Sequence, residues 1–407
     1  MTTRREVLTL LGAGAAAALT GCRPAAPEAA PAAPDMLLVQ VEDGPAVLRP
    51  SGVERFGAGL ATPDGATVFA VRADGVDTVL SAITTRTGRR TDGPRLAGAW
   101  VPRVASADGR LVALAAPDSA GVTHVPAGRS RTPLVVADAT AEVARLELTG
   151  NVVPDAFTAA GEGLFVLDWL PPAAPDRYRV RRLDLASGEA SRLFTRLKAP
   201  VPEGAEEEMS GQGRLAVYAP NRQVLYTLYT HQPDHAHTRD LVAGRRGNVH
   251  AFVHTLHLNE QWAYCVDLPA PFGEGPGAGH TVAMPPEGTH LYVADVTSGR
   301  IAVIDAVGLT VQSVLDAPRT QGTAHLAATS ATLFLATGDT VHAAPRRGVT
   351  EWSRWDAGGL VSGLAASPDG RRVYAALPGA VAWFDAVTGA RQGEVPVPGL
   401  TGLTNVL

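Results

Sequence analysis

Hydrophobic residues recur along this chain in short runs broken by tight turns, a spacing that suits strands rather than helices. Thr67-Val68-Phe69-Ala70-Val71 follows Pro63-Asp64-Gly65, and Leu111-Val112-Ala113-Leu114 follows Ala107-Asp108-Gly109. The arrangement returns at Pro286-Glu287-Gly288 before Leu291-Tyr292-Val293-Ala294, and at Pro368-Asp369-Gly370 before Val373-Tyr374-Ala375-Ala376. In such a turn proline presets φ, the carboxylate bonds its own backbone and glycine takes the positive φ. The β-branched and aromatic residues that follow fit buried strands. A second turn closes the next hairpin, as at Leu183-Asp184-Leu185-Ala186-Ser187-Gly188, Phe384-Asp385-Ala386-Val387-Thr388-Gly389 and the shorter Thr85-Arg86-Thr87-Gly88. Beyond the N-terminal segment no stretch carries a sustained helical period.

A repeat of roughly 40–55 residues with about four short strands per unit is the signature of a β-propeller. Seven units start near Gly57, Gly98, Pro154, Gly213, Gly279, Gly322 and Leu360. Met36 to Phe56 and Gly399 to Leu407 are left over at the two ends. If these pair, they close the ring as an eighth, composite blade and leave no free sheet edge. If Met36 to Phe56 instead patches its neighbours, the ring has seven blades. The count leans to eight. The expected fold is therefore all-β, a propeller of seven or eight four-stranded blades over residues 36–407.

The stretch Leu291-Tyr292-Val293-Ala294-Asp295-Val296-Thr297-Ser298-Gly299-Arg300-Ile301-Ala302-Val303-Ile304-Asp305 resembles a YVTN-type repeat, a bacterial branch of the WD40-like propellers. The likeness is good over Gly279 to Asp316 and Leu360 to Val397, moderate over Gly57 to Gly88, and loose between about Thr123 and Pro269. It implies the fold and says little about chemistry, because propellers host lactonases, dehydrogenases, hydrolases and docking platforms alike.

The first residues read differently. Arg4 and Arg5 precede an apolar run from Val7 to Ala18, and Leu19-Thr20-Gly21-Cys22 forms a lipobox. The run is too short to span a bilayer of roughly 30 Å, so it reads as a cleaved leader, residues 1–21. The segment resembles the leader of bacterial lipoproteins, which implies a lipid anchor on Cys22 and a location on the outer face of the cell membrane. Thr3-Arg4-Arg5-Glu6-Val7-Leu8 resembles the twin-arginine consensus, with valine where that pattern prefers phenylalanine, so general secretion stays open. Residues 22–35 are dense in proline and alanine, which blocks helix and sheet and makes an extended tether.

Composition narrows the function classes. With 45% hydrophobic and 18% charged residues the chain buries a core. Losing Arg4, Arg5 and Glu6 with the leader takes the formal charge from −5 to −6. No dense Lys/Arg run occurs, so no nucleic-acid partner is expected. Cys22 and Cys265 are the two cysteines. With Cys22 lipidated, Cys265 has no disulfide partner and reads as a buried strand residue.

Candidate chemistry gathers in the irregular stretch Tyr226 to Asp267, which holds His231, His235, His237, His250, His254 and His257. In extended chain His235 and His237 share a face, as do His250 and His254. Two such pairs facing one another would hold zinc or copper, both of which accept imidazole. Asp234 and Asp240 are candidate ligands or acceptors that fix the histidine tautomers. The bland alternative is an extended hairpin with solvated histidines. Glu206-Glu207-Glu208 reads as a solvated loop or a cation-attracting one. Neither a GxSxG elbow nor a dinucleotide fingerprint occurs. The leading expectation is a membrane-anchored, extracytoplasmic propeller that binds a protein or a small molecule. The alternative is a propeller enzyme, a lactonase-like hydrolase or a metal-dependent oxidoreductase, working through the 231–257 histidines.

Overall fold

The computed structural model describes residues 33–117, 125–210, 214–247, 249–347 and 351–407. The leader, Cys22 and the tether up to residue 32 lie outside the described residues. The described strands form eight four-stranded antiparallel sheets arranged as a propeller. Seven blades are continuous in sequence, and we number them by their innermost strands. Blade 1 starts at Gly59–Ala61, blade 2 at Val101–Ala105, blade 3 at Asn151–Phe157 and blade 4 at Leu215–Tyr218. Blades 5, 6 and 7 start at His280–Ala283, Ala324–Ala328 and Gly363–Ala366. Blade 8 is composite. Leu37–Val41, Gly44–Arg49 and Gly52–Arg55 come from one end of the ring, and Leu400–Val406 supplies the innermost strand from the other. Leu38 pairs with Asn405 and Val39 with Leu403, across a bulge. The closure is the eight-bladed one.

Burial explains the apolar runs. A middle strand of a blade is covered on both faces by neighbouring blades, so it shows no alternation. Arg372–Leu377 and Ala380–Asp385, for example, are buried at nearly every position. Outermost strands face solvent and are polar, as in Thr310–Asp316. The turns work as their residues imply. Thr62 and Asp64 bond side chain to side chain at 2.6 Å, Ala66 N–H donates to Asp64 Oδ1 at 3.0 Å, and Gly65 sits at φ +69°. Ser106 with Asp108 and Ser367 with Asp369 repeat the device. The end of the proline-rich segment belongs to the ring: Ala33 is buried, and Asp35 bonds Arg372 and Tyr374 of blade 7.

The regular pattern fails between blades 3 and 4. The outermost strand of blade 3, Ala190–Ser191, is two residues long. The link that follows, in its described residues 192–210, takes over the edge. Tyr178 on the third strand of blade 3 exchanges both backbone hydrogen bonds with Met209, each 2.9 Å. Phe194 at the start of the link pairs instead with Trp262, on the outermost strand of blade 4, Trp262–Asp267. The link thus bridges the outer edges of two blades. A second irregularity, residues 230–251, is inserted between the second and third strands of blade 4, Val224–Tyr229 and Phe252–His257, and carries the short helix Thr238–Val242.

Candidate functional site

A cavity of about 460 Å³ opens where the link and the insertion meet. Its walls are mainly apolar, with Val180, Leu193, Phe194, Val201 and Met209 among them, and Arg196, Glu207, His237, Arg239, His254 and Cys265 supply polar groups. No innermost strand contributes to the lining. The cavity therefore lies on the rim of the ring, off the propeller axis.

One buried cluster forms its polar end. In the extended link, side chains alternate. Glu206 turns to Arg179 and Arg181 at 2.7–3.1 Å and Glu208 to Arg177 at 2.7 Å, while Glu207 turns the other way. Glu207 Oε2 meets His237 Nδ1 at 3.1 Å, Cys265 Sγ at 3.1 Å and His235 Nε2 at 3.4 Å. Its Oε1 accepts the backbone N–H of Thr238 at 2.9 Å. Both imidazoles pack on one buried ring, Phe252. His235 stacks on it at 4.4 Å between centroids, and His237 meets it edge-on at 5.0 Å. The far side of His237 faces Asp267 Oδ1 at 2.5 Å, and Arg239 holds that carboxylate in turn.

The charges follow from these contacts. Burial disfavours a charged Glu207, but the hydrogen bonds from His235 and His237 outweigh it and hold the carboxyl well below its ordinary range. Burial likewise opposes a charge on His237, yet Asp267 and Glu207 together raise it to about 9. Burial pushes the Cys265 thiol well up, and the nearby Glu207 charge adds to the effect. His254 lines the same cavity and is driven down to about 4 by burial, so it is a neutral imidazole.

Of the histidines singled out in the sequence, His235 and His237 come together and His254 shares their cavity. His250 is exposed and lies before the strand that starts at Phe252. His231 bonds Thr230, and His257 sits against Trp262. Two members of the cluster fall outside the histidine reading. Glu207 sits between two other glutamates, and Cys265 reads as an ordinary strand residue. Glu207, His237 and Cys265 bring three metal-ligating atoms within 4.8 Å of one another.

No protein-family model matches the sequence, and no curated protein matches it either. Among solved structures, the chain is similar to the dihydro-heme d1 dehydrogenase NirN, with 14% identity over 92% of this chain and 76% of that one, TM-score 0.48. It is also similar to Sqt1 of Saccharomyces cerevisiae, with 9% identity over 90% and 88% of the two chains, TM-score 0.48. A putative 6-phosphogluconolactonase from Bacteroides fragilis aligns at 12% identity over 91% and 97%, TM-score 0.40. These likenesses are too distant to carry function, and the fold rests on this chain's own strand pairing.

Proposed function

We propose that this chain is a lipid-anchored, extracytoplasmic propeller that binds a small, mainly apolar molecule in the rim cavity between blades 3 and 4. The cavity itself carries the reading. A concave, largely apolar space with a few polar groups converging at one end is the usual form of a small-molecule site. Arg196 stands at its mouth over the rings of Trp262 and Tyr264, and no carboxylate pairs with it among the described residues. One negative charge on the ligand would meet it there. The lipobox at Cys22 supports placement on the outer face of the cell membrane.

The rim position favours binding over catalysis. A propeller enzyme gathers polar groups from several blades at one channel mouth, whereas this cluster draws only on blade 4, its insertion and the link before it. The test uses 8-anilinonaphthalene-1-sulfonate, whose fused rings and single sulfonate match the cavity and Arg196. Saturable one-to-one binding to the full exported protein is expected, and Ala263→Trp, which fills the cavity from its outer strand, should abolish it. Binding that Ala263→Trp leaves unchanged would refute the site.

A further inference from the structure

We propose that Glu207, His235, His237 and Cys265 form a tetrahedral zinc site that fastens the link and the insertion to the outermost strand of blade 4. The first argument is spacing. Ligand atoms of a tetrahedral zinc, about 2.0–2.3 Å from the metal, stand about 3.3–3.8 Å apart. Glu207 Oε2 already lies 3.1 Å from His237 Nδ1, 3.1 Å from Cys265 Sγ and 3.4 Å from His235 Nε2. Glu207, His237 and Cys265 already hold their ligand atoms within 4.8 Å of one another, and His235 completes the shell by turning its ring toward them.

The second argument is hydrogen accounting, and it is independent of the first. His235 Nδ1 faces the carbonyl oxygen of Glu208 at 3.2 Å. A carbonyl only accepts, so this nitrogen carries the hydrogen. His237 Nε2 faces the Asp267 carboxylate, which is likewise an acceptor. Both rings therefore donate outward, and their inner nitrogens, His235 Nε2 and His237 Nδ1, converge on one glutamate oxygen. With no metal, each inner nitrogen bonds that carboxylate only by carrying a second hydrogen on its ring. A divalent cation at that point takes the place of those hydrogens and accepts both lone pairs. Outer acceptors that fix the ring tautomer are the usual support of a zinc-bound histidine. The Asp267 carboxylate is itself held by Arg239, whose Nη1 also donates to the Cys265 carbonyl oxygen at 3.2 Å.

Charge and donor type complete the case. With Cys265 as thiolate and Glu207 as carboxylate, the two anionic ligands neutralise the ion, as a buried position requires. Two imidazole nitrogens, one sulfur and one oxygen favour zinc over the oxygen-seeking magnesium and calcium. Four protein ligands leave no open position, so the metal's role is structural. It locks the polar end of the rim cavity whether or not that cavity takes a ligand.

The experiment is metal analysis of the full exported protein by mass spectrometry, followed by chelation and titration with cobalt. About one zinc per chain is expected, and cobalt should restore a near-ultraviolet thiolate-to-metal band. Cys265→Ser should lose that band, and Asp267→Asn should weaken metal affinity about 10–100-fold. His250→Ala, at an exposed position outside the cluster, should leave content and band unchanged. Wild type without zinc that also gives no cobalt band overturns the site, even where a variant fails to fold. So does a cobalt band that survives in folded Cys265→Ser. Failure of dye binding with zinc present would refute the ligand cavity alone.

Discussion

A buried ion pair joins Asp155, on the innermost strand of blade 3, to Arg214, the residue just before the innermost strand of blade 4, and its removal has a calculable cost. Arg214 Nη2 bonds Asp155 Oδ1 at 2.5 Å, with side-chain exposures of 3% and 6%. Arg214 Nε also donates to Tyr229 Oη at 3.3 Å, and the guanidinium carbon stands 5.9 Å from the Tyr229 ring centre. Burial works against the arginine charge, and the Asp155 carboxylate more than restores it. Asp155→Ala leaves that cation buried without its partner. Breaking a buried pair from one side costs about 3–5 kcal/mol, whereas replacing both charges by apolar groups is often neutral. Urea unfolding of Asp155→Ala should therefore show a loss of that size, and Asp155→Ala/Arg214→Met should recover most of it. A single-variant loss below about 1 kcal/mol, the range of an exposed pair, would refute the reasoning. So would a double variant that is no more stable than the single one.

Phe252→Ala removes the fully buried ring under both His235 and His237. It should cost about 3–5 kcal/mol in urea unfolding and weaken dye binding, so a loss under 1 kcal/mol would contradict the packing described. The buried His280 accepts the Gly273 N–H on Nε2 and donates to the Pro276 carbonyl through Nδ1, and burial keeps its pKa below the ordinary value despite Asp295 nearby. Its contribution to stability is present above the unfolded value of about 6.5 and is lost as pH falls below it, because the unfolded chain takes up the proton first. Urea midpoints should fall from about pH 7 to 5, and His280→Asn should flatten that slope; a slope unchanged in the variant would assign it elsewhere. Cys22→Ser should move the exported protein from the membrane to the soluble fraction, and continued sedimentation with membranes would rule out the lipid anchor.

The fold was largely legible because its determinants are local. Pro-Asp-Gly turns with neighbouring Ser or Thr mark the strand ends, and the innermost strands begin within a few residues of the units read from the sequence. Closure was readable from the leftovers, since Met36 to Phe56 and Gly399 to Leu407 hold the strands one blade needs. The site was legible only in part. His235 and His237 stand two apart in extended chain, so their common face follows from backbone geometry. Glu207 and Cys265 are 58 residues apart and meet only because the link crosses from blade 3 to blade 4. That crossing follows from the two-residue outer strand of blade 3, which no turn signal marks. His250 was expected on the strand of His254, but Val249 bridges His235 instead, and the chain enters the strand only at Phe252.

The most direct test of a rim-located binding site is hydrogen–deuterium exchange of the full exported protein, with and without the naphthalenesulfonate dye. A ligand in the rim cavity slows exchange in residues 193–209 and 261–267 and leaves innermost strands such as Leu215–Tyr218 unchanged. Protection centred on the innermost strands of several blades would place the ligand on the propeller axis and contradict the assignment.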